Sequence, residues 1–246
     1  MSHWLFDLGN SRFKGAPLLA DGRVGEVTAW PHGGEAFAAD DIARLPSGEV
    51  AWLASVASPD LRERVLRALD GRFGRVVMAR TQARCAGVAI AYARPERFGV
   101  DRFLALLGAR EPGVPVLVAG VGTALTIDLL DGEGRHRGGR IAASPTTMRE
   151  ALHQRAAQLP AEGGDYREFA DDTDDALASG CDGAAVALVE RSLREAARLL
   201  GREPRLLVHG GGAGPLLPLL PAARERPRLV LEGLAAWARE NAPDAG

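Results

Sequence analysis

The chain has 246 residues, 46% of them hydrophobic and 25% charged, with 30 basic residues against 32 acidic ones and a formal net charge of -2. This is an ordinary globular composition, long enough for one large domain or two of about 120 residues, and it excludes collagen-like, disordered and disulfide-scaffold chains. The balanced charge argues against a nucleic-acid coat or a polybasic membrane anchor.

The first residues carry no basic region ahead of a long apolar run, and no window approaches 18 consecutive apolar residues, so a cytoplasmic location is expected, with no signal peptide and no membrane span. Residues 3 to 30 predict a three-strand meander: Trp4 to Phe6, a polar turn at Gly9-Asn10-Ser11, Phe13 to Leu19, a tight turn at Asp21-Gly22, and Val24 to Trp30. Val50 to Val56 reads as a buried strand. Ser58 and Pro59 supply an N-cap and first helical position for a helix through Leu61, Val65, Leu66 and Leu69 to Gly71. Another strand at Val76 to Met78 and a helix from Val100 to Arg110 complete this half. Glu111-Pro112-Gly113-Val114-Pro115 predicts the boundary, dividing the chain into 1–111 and 112–246.

A similar pattern then restarts. Val114 to Ala119 runs into Gly120-Val121-Gly122-Thr123, followed by Ala124 to Leu130, a turn at Asp131 to Gly134, and His136 to Ala142. Aligning Asp7-Leu8-Gly9-Asn10-Ser11 with Gly120-Val121-Gly122-Thr123-Ala124 puts the two meanders in register, which suggests internal duplication. Thr147 to Gln158 reads as helix, 160 to 172 as polar loop, and Asp174 to about Leu200 as a long amphipathic helix. Its Ala178, Ala185, Leu188, Val189 and Leu193 form either a core stripe or a dimer seam. Leu206 to Val208 is a strand entering Gly210-Gly211-Gly212, and Leu229-Val230-Leu231 leads into a short last helix. Two such units predict a duplicated α/β architecture with a cleft between halves. Cys85 and Cys181 are isolated, so neither a disulfide framework nor a structural zinc site is expected.

Four segments carry chemistry. At Asp7-Leu8-Gly9-Asn10-Ser11-Arg12-Phe13-Lys14, glycine and small polar residues let backbone N–H groups approach phosphate, a carboxylate can hold hydrated Mg²⁺, and a lysine adds a compact charge. Lys14 is the only lysine, so 29 of the 30 basic residues are arginine. At Tyr92-Ala93-Arg94-Pro95-Glu96-Arg97-Phe98-Gly99-Val100-Asp101-Arg102, a loop delivers an acid and a base to the first turn of a helix, where they can serve as general base and carboxylate-binding cation. Gly120 to Thr123 mirrors the first segment, and His209-Gly210-Gly211-Gly212 offers a flat glycine bend. Each also has an ordinary structural explanation: Gly-Asn-Ser is good hairpin chemistry, Asp101 can cap a helix, and Arg102 can be a solvated charge.

Together the segments resemble the type III pantothenate kinases, a family that includes the Bvg accessory factor proteins. The likeness rests on Asp-x-Gly-Asn-Ser-x-x-Lys at 7 to 14, Tyr-x-x-Pro-x-x-x-Gly-x-Asp-Arg at 92 to 102, Gly-Thr-Ala-x-Thr-x-Asp at 122 to 128, Gly-Gly-x-Ile at 138 to 141, and Leu-Val-Leu-Glu-Gly-Leu at 229 to 234. The resemblance implies two ribonuclease H-like halves of the acetate and sugar kinase, Hsp70 and actin superfamily, with an interdomain cleft. It implies a homodimer that phosphorylates pantothenate with ATP, Mg²⁺ and a monovalent cation, K⁺ or NH₄⁺, in the first step toward coenzyme A. By the same resemblance Asp7, Gly9, Asn10, Ser11, Lys14, Gly122 and Thr123 bind ATP phosphates, with Asp7 also serving Mg²⁺ through water. Tyr92, Gly99, Val100, Asp101, Arg102 and Thr173 bind pantothenate, with Asp101 as proton acceptor and Thr173 reaching substrate at the dimer interface.

Three positions depart from the family pattern. Most relatives have Asp-x-Gly-Thr at the second phosphate motif, with the aspartate ligating the monovalent cation, and here that position is Gly120. Ala142-Ala143-Ser144 stands where x-Pro-Gly is usual, and His209 precedes the glycines where a small residue is common. An active kinase with altered cation dependence accommodates these changes; a catalytically impaired relative acting as a regulatory or binding protein is the alternative.

Overall fold

The computed structural model describes residues 2–10, 12–31 and 44–242. They form two compact units, residues 1–110 together with the chain from Arg228 onward, and Glu111–Pro227 between them.

In the first unit, β1 (His3–Leu8), β2 (Arg12–Leu18) and β3 (Thr28–Pro31) form an antiparallel meander. β4 (Gly48–Ser55), α1 (Pro59–Asp70) and β5 (Phe73–Met78) continue the sheet in parallel, giving the order β3-β2-β1-β4-β5. Period-2 alternation sorts the residues of β1. Phe6 and Leu8 enter a core with Phe13, Leu53, Leu61, Val65 and Leu69, while Leu5 and Asp7 take the opposite face. The predicted cap holds: the Ser58 hydroxyl accepts from the Leu61 N–H, and Leu61, Val65 and Leu69 turn one helical face into the core. The third strand is shorter than expected, because Val24 makes only an isolated bridge to Leu18 before pairing resumes at Thr28. A small hairpin, β6 (Arg84–Cys85) and β7 (Val88–Ala89), was not expected. Ala86 and Gly87, both at positive φ, turn it. α2 (Val100–Ala109) follows.

The second unit repeats the plan. β8 (Val116–Val121), β9 (Ala124–Leu130) and β10 (His136–Ala143) form the meander, and β11 (Arg205–His209) and β12 (Ala223–Glu225) add in parallel, so that the order is β10-β9-β8-β11-β12. All six residues of β8 are buried, as befits a strand in mid-sheet. α3 (Pro145–Arg155) begins two residues earlier than expected because Ser144 caps it, its hydroxyl accepting from the Thr147 N–H. The long helix α4 (Thr173–Leu200) buries Ala185 and Val189 in the core of its own unit, with Leu188 and Leu193 packed against it, and Ala178 is buried as well, so this stripe is core.

The last helix, α5 (Leu229–Asn241), corrects two expectations. Leu229-Val230-Leu231 forms its first turn, so the segment is helical where the sequence suggests a lead-in. The helix also belongs to the first unit, so the expected half at 112–246 ends at Pro227. Glycines explain this partnership: a Cβ on Gly233 would collide with the Leu104 carbonyl, and one on Gly108 with the Leu229 carbonyl. Two helices that meet backbone to backbone through glycine make a close, extensive contact, and here α5 closes on α2.

Candidate active site

On the first unit the site grows from the open end of β1. Asp7 lies directly opposite Lys14 in the antiparallel register, and directly paired residues share a face of the sheet. The hairpin beyond them closes where the Gly9 N–H donates to the Arg12 carbonyl at 3.0 Å, which leaves Asn10 exposed at the tip. Ser11 lies outside the described residues. Asp7 is partly accessible but enclosed, and burial pushes its carboxyl up to about 6. Lys14 pulls in the other direction, and Asp101 adds to the rise. Asp7 thus lies within electrostatic reach of both Lys14 and Asp101.

Asp101 stands in the first turn of α2, where Gly99 takes the N-cap position without a capping side chain. Asp101 is therefore inside the helix and is not its cap. Its carboxylate folds back over Gly99: a Cβ there would stand 2.7 Å from Asp101 Oδ1. The N-terminal turn of this helix carries the positive end of its dipole, a setting that suits an anion. Arg102 is 7% exposed, so it is not a solvated charge. Its guanidinium carbon sits 4.6 Å from the centre of the Phe98 ring, and the Tyr92 ring packs on Phe98 at 5.0 Å. The Thr81 hydroxyl donates to the Phe98 carbonyl at 2.8 Å, anchoring the loop that carries this stack. Thr81 and Phe98 are supports that residue-type reasoning missed, since neither has reactive chemistry.

On the second unit the corresponding turn is Gly122-Thr123, closed by the Gly122 N–H donating to the Ala124 carbonyl at 3.0 Å. Thr147 on α3 steadies it, its hydroxyl donating to the Thr123 carbonyl at 2.7 Å. The glycine bend after β11 lies against the same turn: the Gly212 N–H donates to the Val121 carbonyl at 3.0 Å. Gly210, at φ +104°, is pressed so closely on Val121 that a side chain there has no room. Gly120 pairs with Thr126 on one side and His209 on the other. Asp128, part of the third motif, is 3% exposed and 3.0 Å from His136 Nε2, a buried pair within the sheet. Thr173 is the first residue of α4, capped by Asp172, and lines an open hollow of about 500 Å³ with Leu159 and Leu177. It belongs to the second unit, whereas Tyr92 and Gly99 to Arg102 belong to the first.

Residues 4–195 match the family model for type III pantothenate kinase. The chain is 69% identical over 243 residues to a type III pantothenate kinase from Xanthomonas campestris pv. campestris (strain B100), covering 98% of this chain and 99% of the relative. It is 67% identical over 238 residues to one from Stenotrophomonas maltophilia (strain K279a), covering 97% and 98%. In fold it is similar to a ROK family glucokinase from Streptomyces griseus, with a TM-score of 0.52 at 14% identity over 98% of this chain and all of that one. It is also similar to an archaeal actin homologue, with a TM-score of 0.52 at 11% identity over 98% and 100%. The fold is therefore that of the actin, Hsp70 and sugar kinase superfamily. With its full-length likeness to the curated relatives, the chain belongs to the type III pantothenate kinases, the enzymes that phosphorylate pantothenate in coenzyme A biosynthesis.

Proposed function

We propose that Asp101 is the general base of the phosphoryl transfer, and that the convergence of Asp7, Lys14 and Asp101 at the end of β1 is the catalytic centre. Asp101 accepts the proton of the pantothenate primary hydroxyl, and its place over Gly99 leaves the carboxylate at the mouth of the helical turn. Tyr92, Gly99, Val100 and Arg102 hold pantothenate. The buried guanidinium and the helix N-terminus favour its carboxylate.

Asp7, Gly9, Asn10, Ser11 and Lys14 bind ATP phosphates on the first unit, and Gly122 and Thr123 do so on the second. Mg²⁺ suits this donor set, since it keeps several waters and needs only one or two carboxylates beside phosphate oxygens, and Asp7 offers an enclosed carboxylate that gains from a cation. When bound, the ion neutralises charge on the phosphates. Lys14 follows the transferring group with a compact ammonium.

The enzyme works in the cytoplasm as a homodimer, with Thr173 reaching substrate at the interface. Exposed Ile141, Leu152 and Phe169, together with an apolar groove of about 430 Å³ lined by Met148, Leu152, Leu177 and Cys181, support self-association of the second unit. Among the described residues no helix is long and apolar enough to cross a membrane.

Asp101→Asn tests the central assignment. It should lower kcat by about 10²–10⁴-fold while the KM for ATP stays within a few-fold, because the variant keeps size and loses only the base. A variant within a few-fold of the parent in kcat overturns the assignment.

A further inference from the structure

The two meanders are topological copies, so register compares them residue by residue. In the first unit Asp7 faces Lys14 across the hairpin and Ala54 across the parallel neighbour. In the second unit the same place holds Gly120, facing Thr126 across the hairpin and His209 across the parallel neighbour. The carboxylate is gone, and the small parallel neighbour has become an imidazole.

The space tells the same story. A Cβ at position 120 would stand 2.8 Å from Thr126 Oγ1, 2.9 Å from His209 Nε2 and 3.1 Å from His209 Cε1, all closer than ordinary van der Waals contact. The room that a side chain at 120 would need is therefore filled by His209. The backbone that carries the imidazole is fixed there, because the next residue, Gly210, packs on Val121, and the Gly212 N–H bonds the Val121 carbonyl.

A monovalent cation does not fit this arrangement. Hard cations are held by rings of oxygen ligands; position 120 contributes no side-chain oxygen, and the groups nearest to it are one hydroxyl, that of Thr126, and the His209 imidazole, which is short of such a ring. We propose that His209 replaces the monovalent cation beside the second phosphate turn, its ring N–H serving the nucleotide phosphates, so that nucleotide binding and turnover need neither K⁺ nor NH₄⁺. The inference rests on the proposed role of Gly122 and Thr123 in phosphate binding, and Gly120 and His209 act as a matched pair: glycine makes the room that the imidazole uses.

The test is an ADP–Mg²⁺ titration by calorimetry, run beside the pantothenate kinase assay, in about 0.1 M choline chloride and then in KCl at the same ionic strength so that screening is equal. The parent enzyme should bind ADP equally in both salts, within about twofold. His209→Ala should bind about tenfold more weakly in choline, the loss of one charge-assisted hydrogen bond. His209→Gln, which keeps an N–H donor and most of the volume, should fall between the two, and melting curves identify any variant that has simply unfolded. The double variant Gly120→Asp with His209→Ala should acquire a requirement for KCl.

Parent binding that tightens about tenfold in KCl over choline overturns the proposal, as does a folded His209→Ala with parental affinity in choline. The titration needs no turnover, so a chain that binds ADP as expected yet transfers no phosphate would count against the catalytic assignment and leave this one standing.

Discussion

Asp7 shows what burial does to a single group. Its carboxyl is raised from 3.8 to about 6, so the fold holds it protonated to a higher pH than an exposed aspartate and ionised only above about pH 6. The consequence for stability has a definite sign. The favourable state is fully present below pH 4 and is lost as pH rises through about 6, at a cost on the order of 3 kcal/mol. Asp7→Asn should therefore stabilise the nucleotide-free enzyme by about 1–3 kcal/mol at pH 8 in urea unfolding and by almost nothing near pH 4. Equal effects at both pH values would remove burial as the cause. With Asp7 serving Mg²⁺ as proposed, the ionised form is the active one, so kcat/KM for ATP should fall on the acid side of about pH 6. Lys14, the only lysine of the chain, opposes the shift from across the hairpin. A guanidinium is wider and pre-shaped for a planar partner, so Lys14→Arg should lower kcat/KM for ATP by about tenfold or more despite conserving charge. Full activity in that variant would make the lone lysine an accident of composition.

At the scale of elements, much of the meander was legible because turn chemistry and strand period are local. Asp21-Gly22, the Ser58 cap and the hairpin at Asp131 to Gly134 all follow from residue type and spacing. The close packing of α2 on α5 was not legible, since Gly108 and Gly233 lie 125 positions apart and glycine alone does not announce its partner. That contact yields a sharp expectation. A methyl group on Gly233 has no space beside the Leu104 carbonyl, so Gly233→Ala should destabilise by about 1–3 kcal/mol or more, read as a lower urea midpoint with an unchanged slope. A midpoint equal to the parent's would mean that the helices slide apart without cost. Thr147 is a second element-scale surprise: capping chemistry at Ser144 starts α3 where the Thr147 hydroxyl meets Thr123.

For the whole molecule, the chain order and the physical division differ. A sequence boundary at Glu111 is visible from its proline and glycine, but the return of α5 to the first unit is not. Leu229, Leu231, Leu234 and Trp237 are all buried by that return. At about 1.5–3 kcal/mol for each large apolar side chain, their loss rivals the whole stability of a domain. A chain truncated after Pro227 should therefore accumulate as insoluble protein; a soluble product with a native circular-dichroism spectrum would refute the dependence. Full-length likeness to the curated kinases reaches the same scale, since it spans both units and the returning helix.

By itself the sequence determined the duplicated α/β plan, the segments that carry the family's motifs and the family itself, because strand period, turn residues and motif spacing are short-range properties of the chain. Only the tertiary structure decided which charges act on Asp7, that Arg102 is buried on Phe98, that α5 closes the first unit, and that His209 fills the room left by Gly120. Each of these depends on residues distant in the chain meeting at a definite separation. Burial, Coulomb interaction and steric exclusion are functions of that separation, and residue order does not encode it locally.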